Sequence, residues 1–414
     1  METEIVDNKE ISVPGKTETK IFEPSQSFTN SEKTIVSGFK KEIIEFLIRL
    51  NIAKIVVKSY KNPLLWIKIL KSLDQFRRTI LGKSRIKKLT KVDGKYYWDL
   101  YIPGWPSKAF NKFIEAEINR IEPVKIKTNR FTNIFIAITK KCPLQCEHCF
   151  EWDALNKKEK LTLPDLQNIV QKFQEFGTGQ FQITGGEPML RVNDIHEILL
   201  NSKKDSEFWV LTSGFNFTIE NAQKLKKAGL TGVVISLDHF DPEFHNLFRG
   251  FKNSYEWVEK SVINAKAVNL VTALSICVSR SFVTESNLLI YNELAKKMGV
   301  SFVQILEPKA VGHYKGKDVA LQPEHGKILD EFYFKLNYQE KFKEYPIISY
   351  HGYHQRQIGC FAVGNRNLYI DTDGDLHACP FCQSKMGSAL SENINNTINQ
   401  LQLRGCQSFK SAAF

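Results

Sequence analysis

Between residues 131 and 310 six apolar runs, IFIAIT, FQIT, FWVLTS, VVISLD, ALSICV and FVQILE, alternate with amphipathic helical stretches. Strands joined each time through a helix cannot be hairpin partners. They must run parallel, with each crossover laying its helix over the outer face. The pattern predicts an α/β fold built on a partial barrel of six β/α units. On such a barrel the reactive groups belong at the C-terminal strand ends and in the loops that follow.

Charge separates the barrel from what precedes it. Residues 1–30 carry 3 Lys/Arg against 6 Asp/Glu, residues 31–130 carry 23 against 9, and residues 131–414 carry 31 against 30. The first segment has no sustained apolar period and reads as a disordered tail. The second is a basic extension: helical periodicity from Phe39 to Leu81, interrupted at Pro63, then a hairpin signal at Asp93-Gly94 and a helix from Ser107 to Ile121. An anionic membrane surface, an acidic partner or a solvated cationic face would each suit it, and no nucleic-acid reader motif accompanies the charge. The opening METEIVDNKE lacks the basic start and apolar stretch of a secretory signal, so a cytoplasmic location is expected.

In a reducing compartment cysteines point to metals before disulfides. Seven of the eight cysteines fall in two regions. Cys142, Cys146 and Cys149, in CPLQCEHCF, directly follow the first strand. Three thiolates on one loop can hold three irons of a cubane and leave the fourth iron open to a small chelating ligand. A zinc site completed by a fourth ligand such as His148 is the competing arrangement. The second region offers Cys360, Cys379, Cys382 and Cys406, and a turn at Asp373-Gly374 would bring Cys379 back toward Cys360. A structural zinc ribbon is the alternative there. Cys277, within ALSICV, reads as a core residue.

The cysteine loop, together with the segments after the next three strands, resembles the radical S-adenosylmethionine (SAM) superfamily. The resemblance implies a partial TIM-like (β/α)6 barrel at 131–345, a 4Fe-4S cluster on Cys142, Cys146 and Cys149, and SAM on the open iron. In QITGGEP it implies that Gly185, Gly186 and Glu187 meet the methionyl amino group. The Thr212-Ser213-Gly214 segment is similar to the Thr-Asn-Gly segment near the ribose, with Ser213 in place of the common Asn. The segment ISLDHFDPEFHNLFRG implies Ser236, Asp238 and Arg249 around the ribose and carboxylate, and His148 holds the position that lies against adenine.

Residues 346–414 resemble the SPASM and twitch auxiliary-cluster domains. That implies a small Cys-rich C-terminal domain with a second 4Fe-4S cluster on Cys360, Cys379, Cys382 and Cys406. The expected activity is reductive cleavage of SAM to a 5′-deoxyadenosyl radical that abstracts hydrogen from a peptide, a cofactor precursor or another small metabolite. An electron donor such as flavodoxin or ferredoxin is implied with it. A non-catalytic iron-sulfur or zinc protein on the same barrel, and a methyltransferase of the same superfamily, are the alternatives.

Overall fold

The computed structural model describes residues 35–81, 88–124, 131–360, 364 and 366–404. The expected tail at 1–30, and Cys406 with it, lie outside the described residues. The extension opens with β1 (Ile35–Ser37), α1 (Gly38–Ser59) and α2 (Pro63–Leu81), the helices parting at Pro63 as the sequence predicts. Next come β2 (Lys88–Val92), β3 (Lys95–Tyr97) and α3 (Lys108–Ile121). Asp93 and Gly94 both take positive φ, 49° and 75°, the primed turn that matches the twist of a two-residue hairpin.

The alternating pattern then unfolds as expected: β4 (Asn133–Ala137), α4 (Leu163–Glu175), β5 (Gln180–Thr184), α5 (Val192–Asn201), β6 (Glu207–Thr212) and α6 (Ile219–Ala228). It continues through β7 (Gly232–Ser236), α7 (Pro242–Arg249), α8 (Ser254–Ala267), β8 (Val271–Cys277), α9 (Glu285–Met298) and β9 (Phe302–Leu306). The chain goes on with α10 (Pro323–Tyr338), β10 (Ile347–Ser349), α11 (His351–Ile358), β11 (Asn367–Ile370), β12 (Leu376–His377) and α12 (Ile394–Arg404).

The large sheet runs β10-β9-β8-β7-β6-β5-β4-β11-β12, and every pairing is parallel except that of β11 with β12. Two more parallel strands, β10 and β11, therefore flank the six legible in the sequence. They are only three and four residues long, too short for an alternating or apolar run to register, which is why periodicity missed them. The sheet stays open at β10 and β12.

One face of the strands, with Ile134, Ile183, Val210 and Val233, packs under the helices in the main core. The inner face is filled partly by the extension. Val92, Tyr97, Leu100 and Tyr101 join Trp209, Val234, Ala273 and Phe302 in one cluster. Polar contacts fix this plug at the N-terminal strand ends. Glu207 accepts from Lys95 Nζ at 3.0 Å and from the Gly104 N–H at 3.2 Å. Gln180 donates to the Leu100 carbonyl at 3.2 Å and Asn133 to that of Tyr101 at 3.1 Å.

Lys88 is fully buried, and its Nζ donates to the carbonyls of Leu336, Phe342 and Pro346 at 2.8, 3.0 and 3.0 Å. Burial pulls its pKa down to about 7. Lys88→Met removes a donor shared by three carbonyls, of which that of Phe342 keeps the Tyr345 N–H, and should lower stability by about 2–3 kcal/mol. The unfolded chain keeps this proton to higher pH than the folded one, so unfolding takes up a proton above about pH 7. In denaturant titrations the wild type should therefore gain on the variant as pH rises from neutrality into the ordinary lysine range.

Candidate functional site

The Cys142–Cys149 loop leaves the C-terminal end of β4 and is held at each cysteine. Asn156, at φ 59°, both accepts from the Cys142 N–H at 3.0 Å and donates to its carbonyl at 3.1 Å. The Cys149 carbonyl accepts from the His313 N–H at 2.9 Å, and the His313 ring lies 3.0 Å from the Cys146 carbonyl. Trp152 stacks on that ring at 3.8 Å. Gly312 makes the contact possible: a Cβ there would lie 2.2 Å from the Cys149 oxygen. Asn156 and His313 were not singled out by the sequence, since loop anchors at such separations leave no periodic signal.

The two glycines after β5 work the same way. A Cβ on Gly185 would meet the Thr139 oxygen at 2.7 Å, and one on Gly186 the Lys141 oxygen at 2.3 Å. The Gly186 and Glu187 N–H groups each donate at 2.7 Å to this stretch, at Thr139 and Lys141. The close approach expected of the pair is thus made first to the cysteine loop itself, and it sets the Gly-Gly-Glu segment beside Cys142.

Glu187 is buried and accepts from Thr212 Oγ1 at 2.7 Å, Ser213 Oγ at 2.6 Å and the Ser213 N–H at 2.9 Å. Burial raises its pKa while these bonds oppose the rise. Ser213 therefore serves as a carboxylate anchor. Burial also works against charge on Asp238, but the Arg249 guanidinium, donating from Nε at 2.5 Å, outweighs it and holds the carboxyl below its usual range. Arg249 Nη1 lies 3.5 Å from Cys146 Sγ, and Asp238 also accepts from the Cys277 N–H at 3.1 Å.

His148 is kept neutral by burial, its pKa pushed down to about 4. Its ring sits 5.0 Å from Phe248, and its Nδ1 has no hydrogen-bond partner in the fold. Burial also pushes the Cys142 and Cys149 thiols up to about 12. Thiols in that state surrender their protons to a metal that binds them.

The second cysteine group reaches the same place. The Asp371–His377 pair, 2.8 Å apart, braces the β11–β12 hairpin, whose Gly374 turns at φ 82°. The other His377 nitrogen lies 3.0 Å from the Cys382 carbonyl. Phe150, next to Cys149, packs on Tyr369 and Phe381, and Lys140 bridges to Asp373 at 2.7 Å. One cavity of about 690 Å³ results. Its wall includes Cys142, Cys146, His148, Cys149, Gly185, Gly186, Glu187, Ser213, Ser236, Asp238 and Arg249, and also Cys360, Cys379 and Cys382.

Cys277 is buried, as the sequence suggested, and also stands on this wall. The far wall adds Tyr101, Gln304, Glu307, Lys309, Tyr350 and His351, none of them named as a site residue from the sequence. None of the seven described cysteines is in a disulfide. Among the described residues, no three Cys, His, Asp or Glu side chains converge on a position for one metal ion.

Residues 136–283 match the family model described as the Radical SAM superfamily. A Methanococcus maripaludis (strain C7) protein named probable GTP 3′,8-cyclase is 32% identical over 219 residues, 51% of this chain and 72% of that one. The chain belongs to the radical SAM superfamily. An Archaeoglobus fulgidus protein of the same name is 36% identical over 119 residues, but the match spans only 29% of this chain and 40% of the relative. Streptococcus suis SuiB, crystallised with the precursor peptide SuiA, superposes with a TM-score of 0.55 at 14% identity, covering 73% of this chain and 72% of SuiB, and so shares its fold.

The radical SAM assignment makes this protein an enzyme whose cofactors are a 4Fe-4S cluster and S-adenosylmethionine. The cavity suits them. It offers thiols spread along one loop, a Gly-Gly-Glu edge beside them, and an unpartnered ring nitrogen at His148. No described helix is long and apolar enough to cross a membrane.

Proposed function

We infer that the protein abstracts hydrogen from a substrate held between two iron-sulfur clusters. The observation that carries the reading is the single cavity onto which both cysteine groups open. In this reading Cys142, Cys146 and Cys149 hold the first cluster. Cys360, Cys379 and Cys382 hold the second, and Cys406 is its fourth ligand.

Glu187 would receive the methionyl ammonium, His148 the adenine, and Ser236 with the Asp238–Arg249 pair the ribose and carboxylate. Bound together, cluster and cofactor supply the one-electron chemistry that ends in hydrogen abstraction. The protein's part is to orient the cofactor, exclude water and keep the substrate within reach.

The wall also bears on substrate class. Its cations are already engaged, Arg249 by Asp238 and Cys146, and Lys309 by Glu307 at 3.7 Å. The largely aromatic and aliphatic surroundings favour a small metabolite or a single peptide side chain.

Incubating the anaerobically loaded protein with dithionite and SAM tests the reading. It should release 5′-deoxyadenosine and methionine. Release of S-adenosylhomocysteine instead would point to methyl transfer, and no product after confirmed cluster loading would point to a binding module. Cys379→Ala should lose about half the iron yet still cleave SAM, because the first loop keeps its own anchors. Iron analysis beside a cleavage assay reads both halves of that expectation.

A further inference from the structure

Helix α1 has two apolar faces. Ile44, Ile48 and Ile55 point into the extension's own core, as one stripe of an amphipathic helix should. On the opposite side Phe39, Ile43, Phe46, Leu50 and Val57 follow at intervals of four, three, four and seven residues. That spacing aligns them along the helix, and all are exposed, Phe39 at 82% and Phe46 at 60%. Helix α2 starts likewise, with Leu64 at 74% and Ile67 at 56%. So much aliphatic and aromatic surface on neighbouring helices marks an interaction site.

Cations surround it. Lys40, Arg49, Lys54 and Lys58 on α1, with Lys61 and Lys71 beyond, are all exposed. The two acids of α1, Glu42 and Glu45, are both bridged by Lys41, at 3.6 and 2.7 Å. No such pair engages Lys40, Arg49, Lys54 or Lys58 among the described residues.

We propose that the outer face of α1, with the start of α2, docks this enzyme on an anionic lipid bilayer surface. A convex ridge of Phe, Leu and Ile suits an acyl boundary, and long basic side chains beside it can reach up to headgroups. The charge decides between this occupant and a second copy of the chain. Two such faces packed together would set Lys40, Lys54 and Lys58 against the same residues of the copy, whereas acidic headgroups complement them.

The test is co-sedimentation of the full-length, cluster-loaded protein with phosphatidylcholine vesicles, with and without phosphatidylglycerol. Binding should require the anionic lipid and weaken as salt is raised. Phe39→Glu/Phe46→Glu and Lys54→Glu/Lys58→Glu should each reduce it by about tenfold or more. All four positions are exposed, so circular dichroism and Tm should be unchanged. No binding at low salt would overturn the proposal, as would equal binding by the Phe39→Glu/Phe46→Glu variant. A concentration-dependent dimer in sedimentation that this variant dissolves would also overturn it, by assigning the ridge to a second copy.

Discussion

Cys146→Ala is expected to give a folded protein that releases no 5′-deoxyadenosine above background and has lost the iron of its first cluster. Cys146 is the buried member of its trio, the one whose sulfur faces Arg249 and whose carbonyl meets the His313 ring. Two thiols cannot replace three in holding a cubane with one open iron. The backbone anchors at Cys142 and Cys149 do not involve its side chain, so the loop itself should persist. Iron analysis, the visible spectrum and a SAM cleavage assay on one preparation read the result. Unchanged iron would remove the first cluster from this loop.

Gly186→Ala should be nearly as damaging without touching a thiol. The added methyl would lie 2.3 Å from the Lys141 oxygen and 3.2 Å from Cys142 Cβ, so either the cysteine loop or the Gly-Gly-Glu edge must move. Overpacking of this kind costs about 1–3 kcal/mol. A displacement of roughly 1 Å at a reacting centre lowers rate by about 10²-fold. SAM cleavage should fall on that scale while Tm drops modestly. Gly326→Ala is the control: its methyl would meet nothing closer than 3.5 Å, and a helix gains from the exchange. Equal activities of the two variants would show that the glycine pair has no positional role.

Much of this was legible because it is written in local pattern. The six central strands, the break at Pro63, the turn at Asp93-Gly94 and the cysteine spacings all have short-range signatures. The predicted residues of the first cysteine loop and of the next three strand ends reach one wall because parallel strands end at one rim. What escaped depends on distant pieces meeting. Asn156 and His313 are loop anchors, and nothing near them in sequence announces the carbonyls they hold. Tyr101 lies in a segment that reads as basic extension, yet its ring sits 4.9 Å from that of His351 at the start of α11. Cys277 is buried as read, but its place on the cavity wall was not legible, because alternation along a strand cannot say which side of the sheet faces an opening.

The residues before β4 also fix how the catalytic unit can be handled. Because Glu207, Gln180 and Asn133 at the strand starts all hydrogen-bond to residues 95–104, a fragment begun at residue 131 would expose buried amides and a carboxylate. It would also lose the Tyr101 side of the chamber. Any minimal version made for crystallisation or engineering has to start upstream of Lys88, and fusion partners belong elsewhere than at that seam.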